Sequence, residues 1–178
     1  MATEAEDYID LEMSELREVA RFAVQHADDV LHIFEEVRPL DARPRLAVDA
    51  AWTFVNGAKR SRLQRVTALD AHRAAKDAGT AAATHAAHAA GDAAAAAYLH
   101  PLAKAEQVRH ILRSAAHAAV TAELIAGDPG LGIAHINRAV TRATPVLVDV
   151  LRRYPPAPTG KTRVAALTSL LDRRLRSC

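Results

Sequence analysis

Apolar residues recur at three- and four-residue steps along most of this chain, the spacing that places side chains on one face of an α-helix. The stripe is clearest near the start. Leu16, Val19, Ala20, Ala23, Ala27, Val30, Leu31 and Phe34 share one face, and Glu15, Glu18, Asp28, Asp29, Glu35 and Glu36 lie largely off it. Ser14 is the expected N-cap of this helix and Pro39 marks its exit. A second helix is predicted from Arg43-Pro44-Arg45, with the proline suited to the first turn, to a left-handed exit at Asn56-Gly57. Its inner stripe is Val48, Ala51, Trp52 and Val55, and Trp52, the sole tryptophan, is expected to anchor the core.

After a basic run at Lys59, Arg60, Arg62 and Arg65, the pattern resumes at Val66 and Leu69 and continues nearly unbroken to about Ala126. Asp70, Arg73 and Asp77 form a charged line on an exposed edge. From Ala81 to Ala97 the residues are small almost all round, which suits a central helix, with Gly91-Asp92 as a joint. His100-Pro101 interrupts the helix, because proline disfavours helical geometry in the residue before it. Leu102, Ala105, Leu112, Ala115, Ala119 and Ala122 make the next stripe, closed by the loop Gly127-Asp128-Pro129-Gly130.

A further helix carries Ile136, Val140, Leu147, Val148 and Leu151, and it kinks or restarts at Thr144-Pro145. Tyr154 to Gly160 is too rich in proline for a helix and is expected to run extended over the surface. A last helix is predicted from about Lys161 to Arg176. No stretch reads as a strand. The fold expected is therefore all-α: a single compact domain of about six to eight helices over residues 14–178, with an alanine-rich central helix, behind a loosely held acidic N-terminus at 1–13.

Composition sharpens that picture. Half the residues are hydrophobic but only 4% are aromatic, so the core must be filled by Leu, Val, Ile and above all Ala, whose small side chains let helix backbones approach closely. The stretch Ala78 to Leu99 carries few charges, but alanine is too weakly hydrophobic for a membrane span. The acidic start lacks the cationic and apolar segments of a secretory signal, and one cysteine, Cys178, allows no internal disulfide. Those features point to a cytoplasmic protein.

The net charge of +2 hides an asymmetry. Residues 1–36 hold 11 acidic and two basic side chains, and the remainder holds 10 acidic and 21 basic. Either the first helix docks on a basic body, or Glu15, Glu18, Asp28, Asp29, Glu35 and Glu36 face a cationic partner. The basic runs lack interleaved aromatics and a reading helix, which disfavours nucleic acid.

Nine histidines are many for this length, and six lie between His72 and His117. No His-Glu-x-x-His signature is present, so no metal and no cofactor is assigned. His85, His88 and His117 read as polar positions within alanine helices. His72, His100 and His110 sit beside charged or constrained residues and could converge in a ligand pocket, with Asp49 and Trp52 as wall residues. No nucleophile elbow or phosphate loop is present, and Gly160-Lys161-Thr162 lacks the upstream glycine and strand a phosphate loop needs.

The segments Arg43-Pro-Arg-Leu-Ala-Val-Asp-Ala-Ala-Trp-Thr-Phe, Leu69-Asp-Ala-His-Arg-Ala-Ala-Lys-Asp-Ala, Ala97-Tyr-Leu-His-Pro-Leu-Ala and Gln107-Val-Arg-His-Ile-Leu resemble a bacterial immunity-protein family, the immunity-five-like helical domain. The resemblance extends through Val150 to Gly160 and covers roughly residues 14–175. It implies an all-α fold and a non-enzymatic role, neutralising a cognate toxin by binding it. The positions matching the family pattern are Arg43, Asp49, Trp52, His72, Arg73, Tyr98, His100, Gln107 and His110, and all but Arg43 are taken as candidate ligand-binding residues. The alternative is a small-molecule role, in self-resistance or as an enzyme of secondary metabolism, using the histidine pocket.

Overall fold

A computed structural model of the chain describes residues 8–178. Eight α-helices follow in order: α1 (Met13–Val37), α2 (Arg43–Val55), α3 (Arg62–Lys76), α4 (Ala81–Ala95), α5 (Val108–Ala126), α6 (Pro129–Arg142), α7 (Pro145–Arg152) and α8 (Arg163–Arg176). The fold is all-α, and among the described residues the one β contact is an isolated bridge between Tyr8 and Leu102. No described helix is long and apolar enough to cross a membrane.

The helices begin where side chains can satisfy their first backbone N–H groups. Thr80, Thr144 and Thr162 cap α4, α7 and α8, and Asp128 caps α6 ahead of Pro129. Ser61 and Gln64 form a capping box on α3. The start of α1 departs from expectation: its cap is Glu12, boxed with Glu15, whose carboxylate accepts the Glu12 N–H at 2.9 Å, and Ser14 lies inside the first turn. Gly57 and Gly127 leave α2 and α5 with positive φ, +108° and +65°, a conformation in which a side chain would be strained.

Helix α4 lies at the centre, packed against α1, α2, α3 and α5, with α6 and α8 on the far side of α5 and α7 against α1. Ala83, Ala86, Ala87, Ala89, Ala90, Ala93 and Ala94 are wholly buried, so α4 meets its neighbours through methyl groups at close backbone approach. The Gly91-Asp92 pair is no joint: both residues are buried within the uninterrupted helix. Phe34 and Phe54 fill the core, and Trp52, expected as its anchor, sits at the rim because its indole N–H must reach a polar partner, which is the Asp28 carboxylate at 2.6 Å.

Two more expectations are revised. Val66 and Leu69 do not face inward; the buried face of α3 is Ala68, Ala71, Ala74 and Ala75. Leu102 and Ala105 precede α5 rather than belonging to it, because Leu102 pairs with Tyr8 and residues 105–107 form a 3-10 turn. The proline segment is non-helical as predicted, yet Tyr154 is buried and donates its hydroxyl to the His100 carbonyl at 2.9 Å. Of the segment read as loosely held, residues 1–7 lie outside the described residues. The part from Tyr8 to Glu12 is tied down: Ile9 N–H donates to the Pro101 carbonyl at 2.8 Å and Arg153 donates to the Asp10 carbonyl at 2.8 Å.

Candidate functional site

The close approach of α3, α4 and α5 leaves room for few polar groups, and those present converge. Asp92, 3% exposed on α4, receives a two-pronged contact from Arg113 on α5, Nη2 to Oδ1 at 2.6 Å and Nε to Oδ2 at 2.9 Å. His72 on α3 places Nε2 at 3.5 Å from Oδ1, and His117 on α5 places Nε2 at 3.6 Å from Oδ2. Behind them His72 Nδ1 lies 2.8 Å from His88 Nδ1, and His117 Nδ1 lies 2.8 Å from His85 Nδ1. His88 and His117 are stacked with ring centres 5.1 Å apart, so four imidazoles flank one buried ion pair.

Gly91 makes this possible. A Cβ there would sit 2.8 Å from the His72 ring and 3.0 Å from the Ala68 carbonyl, so only glycine lets the imidazole lie across α4 next to Asp92. Burial opposes the charge on Asp92, but the Arg113 hydrogen bonds and charge outweigh it, and the carboxyl stays below its usual range. Burial lowers His72, His85 and His88 and takes His117 down to about 3, so the four rings are neutral near pH 7. The imidazole contacts to Asp92 are longer than hydrogen bonds, and within each 2.8 Å imidazole pair one Nδ1 donates and the other accepts.

His72 and Arg113 also border an open cavity of about 520 Å³ between α3, the turn after α4, and α5, lined further by Arg65, Leu69, Tyr98, His100, Arg109 and His110. Burial and the neighbouring Arg109 hold His110 down to about 4. Tyr98 is held by its hydroxyl, which donates to the Ser61 carbonyl at 2.7 Å, and the guanidiniums of Arg60 and Arg65 lie over its ring at 5.3 and 5.9 Å. His72, Tyr98, His100 and His110, read from the sequence as ligand-pocket candidates, therefore line one cavity.

The other candidates lie apart from it. Gln107 supports the cavity from outside, accepting the His100 backbone N–H at 3.0 Å. Arg73 is exposed and pairs with Asp70 at 2.7 Å. Asp49 is exposed on α2, where its carbonyl accepts from Thr53, and Trp52 borders a different hollow with Gln25, Asp28 and Arg142, so neither forms a wall with the histidines. Asp92, Arg113, Arg65 and Arg109 were missed by the sequence reading. The one signal for Asp92 was its position, a lone charge within a helix of alanines, which must find a partner if buried.

The acidic residues of α1 are mostly engaged by the chain's own cations. Glu15 takes Arg153, Glu18 takes Arg21, Asp28 takes the Trp52 indole, Asp29 takes Arg142 at 2.8 Å, and Glu35 takes both prongs of Arg45 at 2.8 and 2.9 Å. Among the described residues only Glu36 of the six is left exposed without a partner.

A second polar group lies where α1 meets α6: His26 Nδ1 is 3.1 Å from His135 Nε2, and Asp29 is close enough for the three to surround one ion. Arg138 contacts His135 Nδ1 at 3.2 Å and Arg142 holds Asp29. Arginine only donates, so His135 carries its proton on Nε2, directed at His26, where a metal would need a lone pair. These residues therefore suit a structural hydrogen-bond chain better than a cation.

The site is thus a buried ion pair flanked by four histidines in an all-α domain, with a cavity that carries three arginines beside it. The family model described as "Imm-5 like putative immunity protein" matches residues 10–101, more than half of the chain, and the chain belongs to that family. The match takes in α1 to α4, with His72, Gly91, Asp92, Tyr98 and His100; Arg113 and His117 lie beyond it. No curated protein and no solved structure matches the sequence.

Proposed function

We propose that this protein confers immunity by binding a toxin directly, without chemistry of its own, and that α3 supplies the contact. Membership of an immunity-protein family supports the role. The observation that carries the binding surface is the orientation of α3. Its small residues point inward, and Leu63, Val66 and Leu69, three residues apart, are 49%, 39% and 51% exposed on its outer face. Three large apolar side chains in register on one outer helix face form a contiguous patch, which supports a contact surface more than singly scattered leucines do. Arg62, Arg65 and Arg73 lie among them, and Arg65 has no carboxylate partner among the described residues, so the fitting toxin surface is apolar with an acidic rim. Of the six acidic residues of α1 offered from sequence as a partner face, all but Glu36 have partners within the chain.

The test is growth protection in cells expressing candidate toxins, drawn first from any toxin gene found next to this chain's own. Wild type should protect, and Leu63→Asp with Leu69→Asp should abolish protection while the circular-dichroism melt is unchanged. Full protection by that double variant would remove α3 as the contact, and absence of protection by wild type would remove the immunity role for that toxin.

A further inference from the structure

The hollows of the surface differ in charge balance. In the cleft between α1, α5 and α6, Asp29 faces Arg138 and Arg142. In the hollow at the α1–α2 turn, Asp41 and Asp77 both pair with Arg43. Each of these has its carboxylate built in. The cavity between α3 and α5 has none among the described residues: its walls carry Arg65, Arg109 and Arg113 with three imidazoles.

Arg113 is neutralised from behind by Asp92, which leaves Arg65 and Arg109 without a carboxylate among the described residues. Two guanidiniums facing a partly enclosed space repel one another and are relieved by a counter-anion. The volume of about 520 Å³ exceeds what a lone inorganic ion needs and suits a small organic molecule. The Tyr98 ring, fixed through Ser61, and Leu69 supply an apolar wall for its carbon skeleton. The His110 ring adds a polar group to the same wall.

We infer that this cavity is a binding site for a small organic anion with two or more negative charges, a di- or tricarboxylate or a phosphate ester, held by Arg65 and Arg109 against Tyr98. Nothing in the inference depends on toxin binding, and each can fail without the other.

Titration calorimetry on the full chain at pH 7 and low ionic strength, with citrate and with inorganic phosphate as separate probes, tests it. One-to-one saturable binding of either probe is expected, weakened at least tenfold by Arg65→Gln with Arg109→Gln and changed less than twofold by Arg62→Gln, which lies on α3 outside the cavity. Both altered arginines are exposed, so the fold should persist, as an unchanged thermal melt would verify. Binding of neither probe, equal binding by the double variant, or equal weakening by Arg62→Gln, which would mark diffuse charge, overturns the inference.

Discussion

Asp92 keeps its charge while almost fully removed from water because Arg113 meets both of its oxygens. Removing one member of such a pair strands the other. Arg113→Ala should therefore cost about 3–5 kcal/mol in urea denaturation, whereas replacing both by apolar residues of similar volume should cost much less. Gly91→Ala should displace the His72 ring and destabilise by about 1–3 kcal/mol, despite alanine's better helix propensity. In the His72→Ala background the same change should cost less, with the Ala68 carbonyl 3.0 Å away accounting for what remains. A double-mutant cycle without that coupling would contradict the packing described.

The histidines also set a pH dependence. His72, His85, His88, His110 and His117 have folded pKa values below 6.5, so the unfolded chain binds more protons as the pH falls. Their neutral folded forms favour the native state fully above pH 6.5, and stability declines as acid titrates the unfolded state down towards about pH 4 for His110 and about 3 for His117. For buried His117 alone the slope is about 1.4 kcal/mol per pH unit in that window. Urea midpoints at pH 7, 6 and 5 should fall in that order, and a flat series would show that the rings titrate in the folded chain as they do in the unfolded one.

At the scale of elements, α4 and α3 make opposite use of small residues. In α4 alanine on every side brings four helices close, so Ala86→Leu or Ala90→Leu should destabilise by about 1–3 kcal/mol or more through overpacking. In α3 alanine faces in and leucine faces out, so Leu63→Asp should change stability by only about 0.5 kcal/mol. Helix identity was legible because capping residues, glycine exits and three- and four-residue spacing are local signals. Facing was not legible for α3, since Val66 and Leu69 fit a buried stripe as well as an exposed one. The converging histidines were half legible: His72, His100 and His110 stood out by their neighbours, whereas His85, His88 and His117 became meaningful only once α4 and α5 were side by side. Asp92 and Arg113, 21 residues apart, share no local signal.

For the whole molecule, the acidic first helix and the basic remainder resolve into internal pairing, through Glu15 with Arg153, Asp29 with Arg142 and Glu35 with Arg45. Around α3 and its neighbouring cavity, Arg65 and Arg109 have no carboxylate partner among the described residues and Leu63, Val66 and Leu69 are exposed, and the proposed contact rests on that ground. The measurement that bears most directly on this is the mass of the purified chain mixed with a toxin against which it protects cells, by size-exclusion chromatography with light scattering, with toxin activity assayed on the same fractions. A stoichiometric complex without toxin activity, lost in Leu63→Asp with Leu69→Asp, is the result expected. Toxin that is inactivated while eluting alone, or a complex indifferent to α3, would contradict neutralisation by direct binding at this surface.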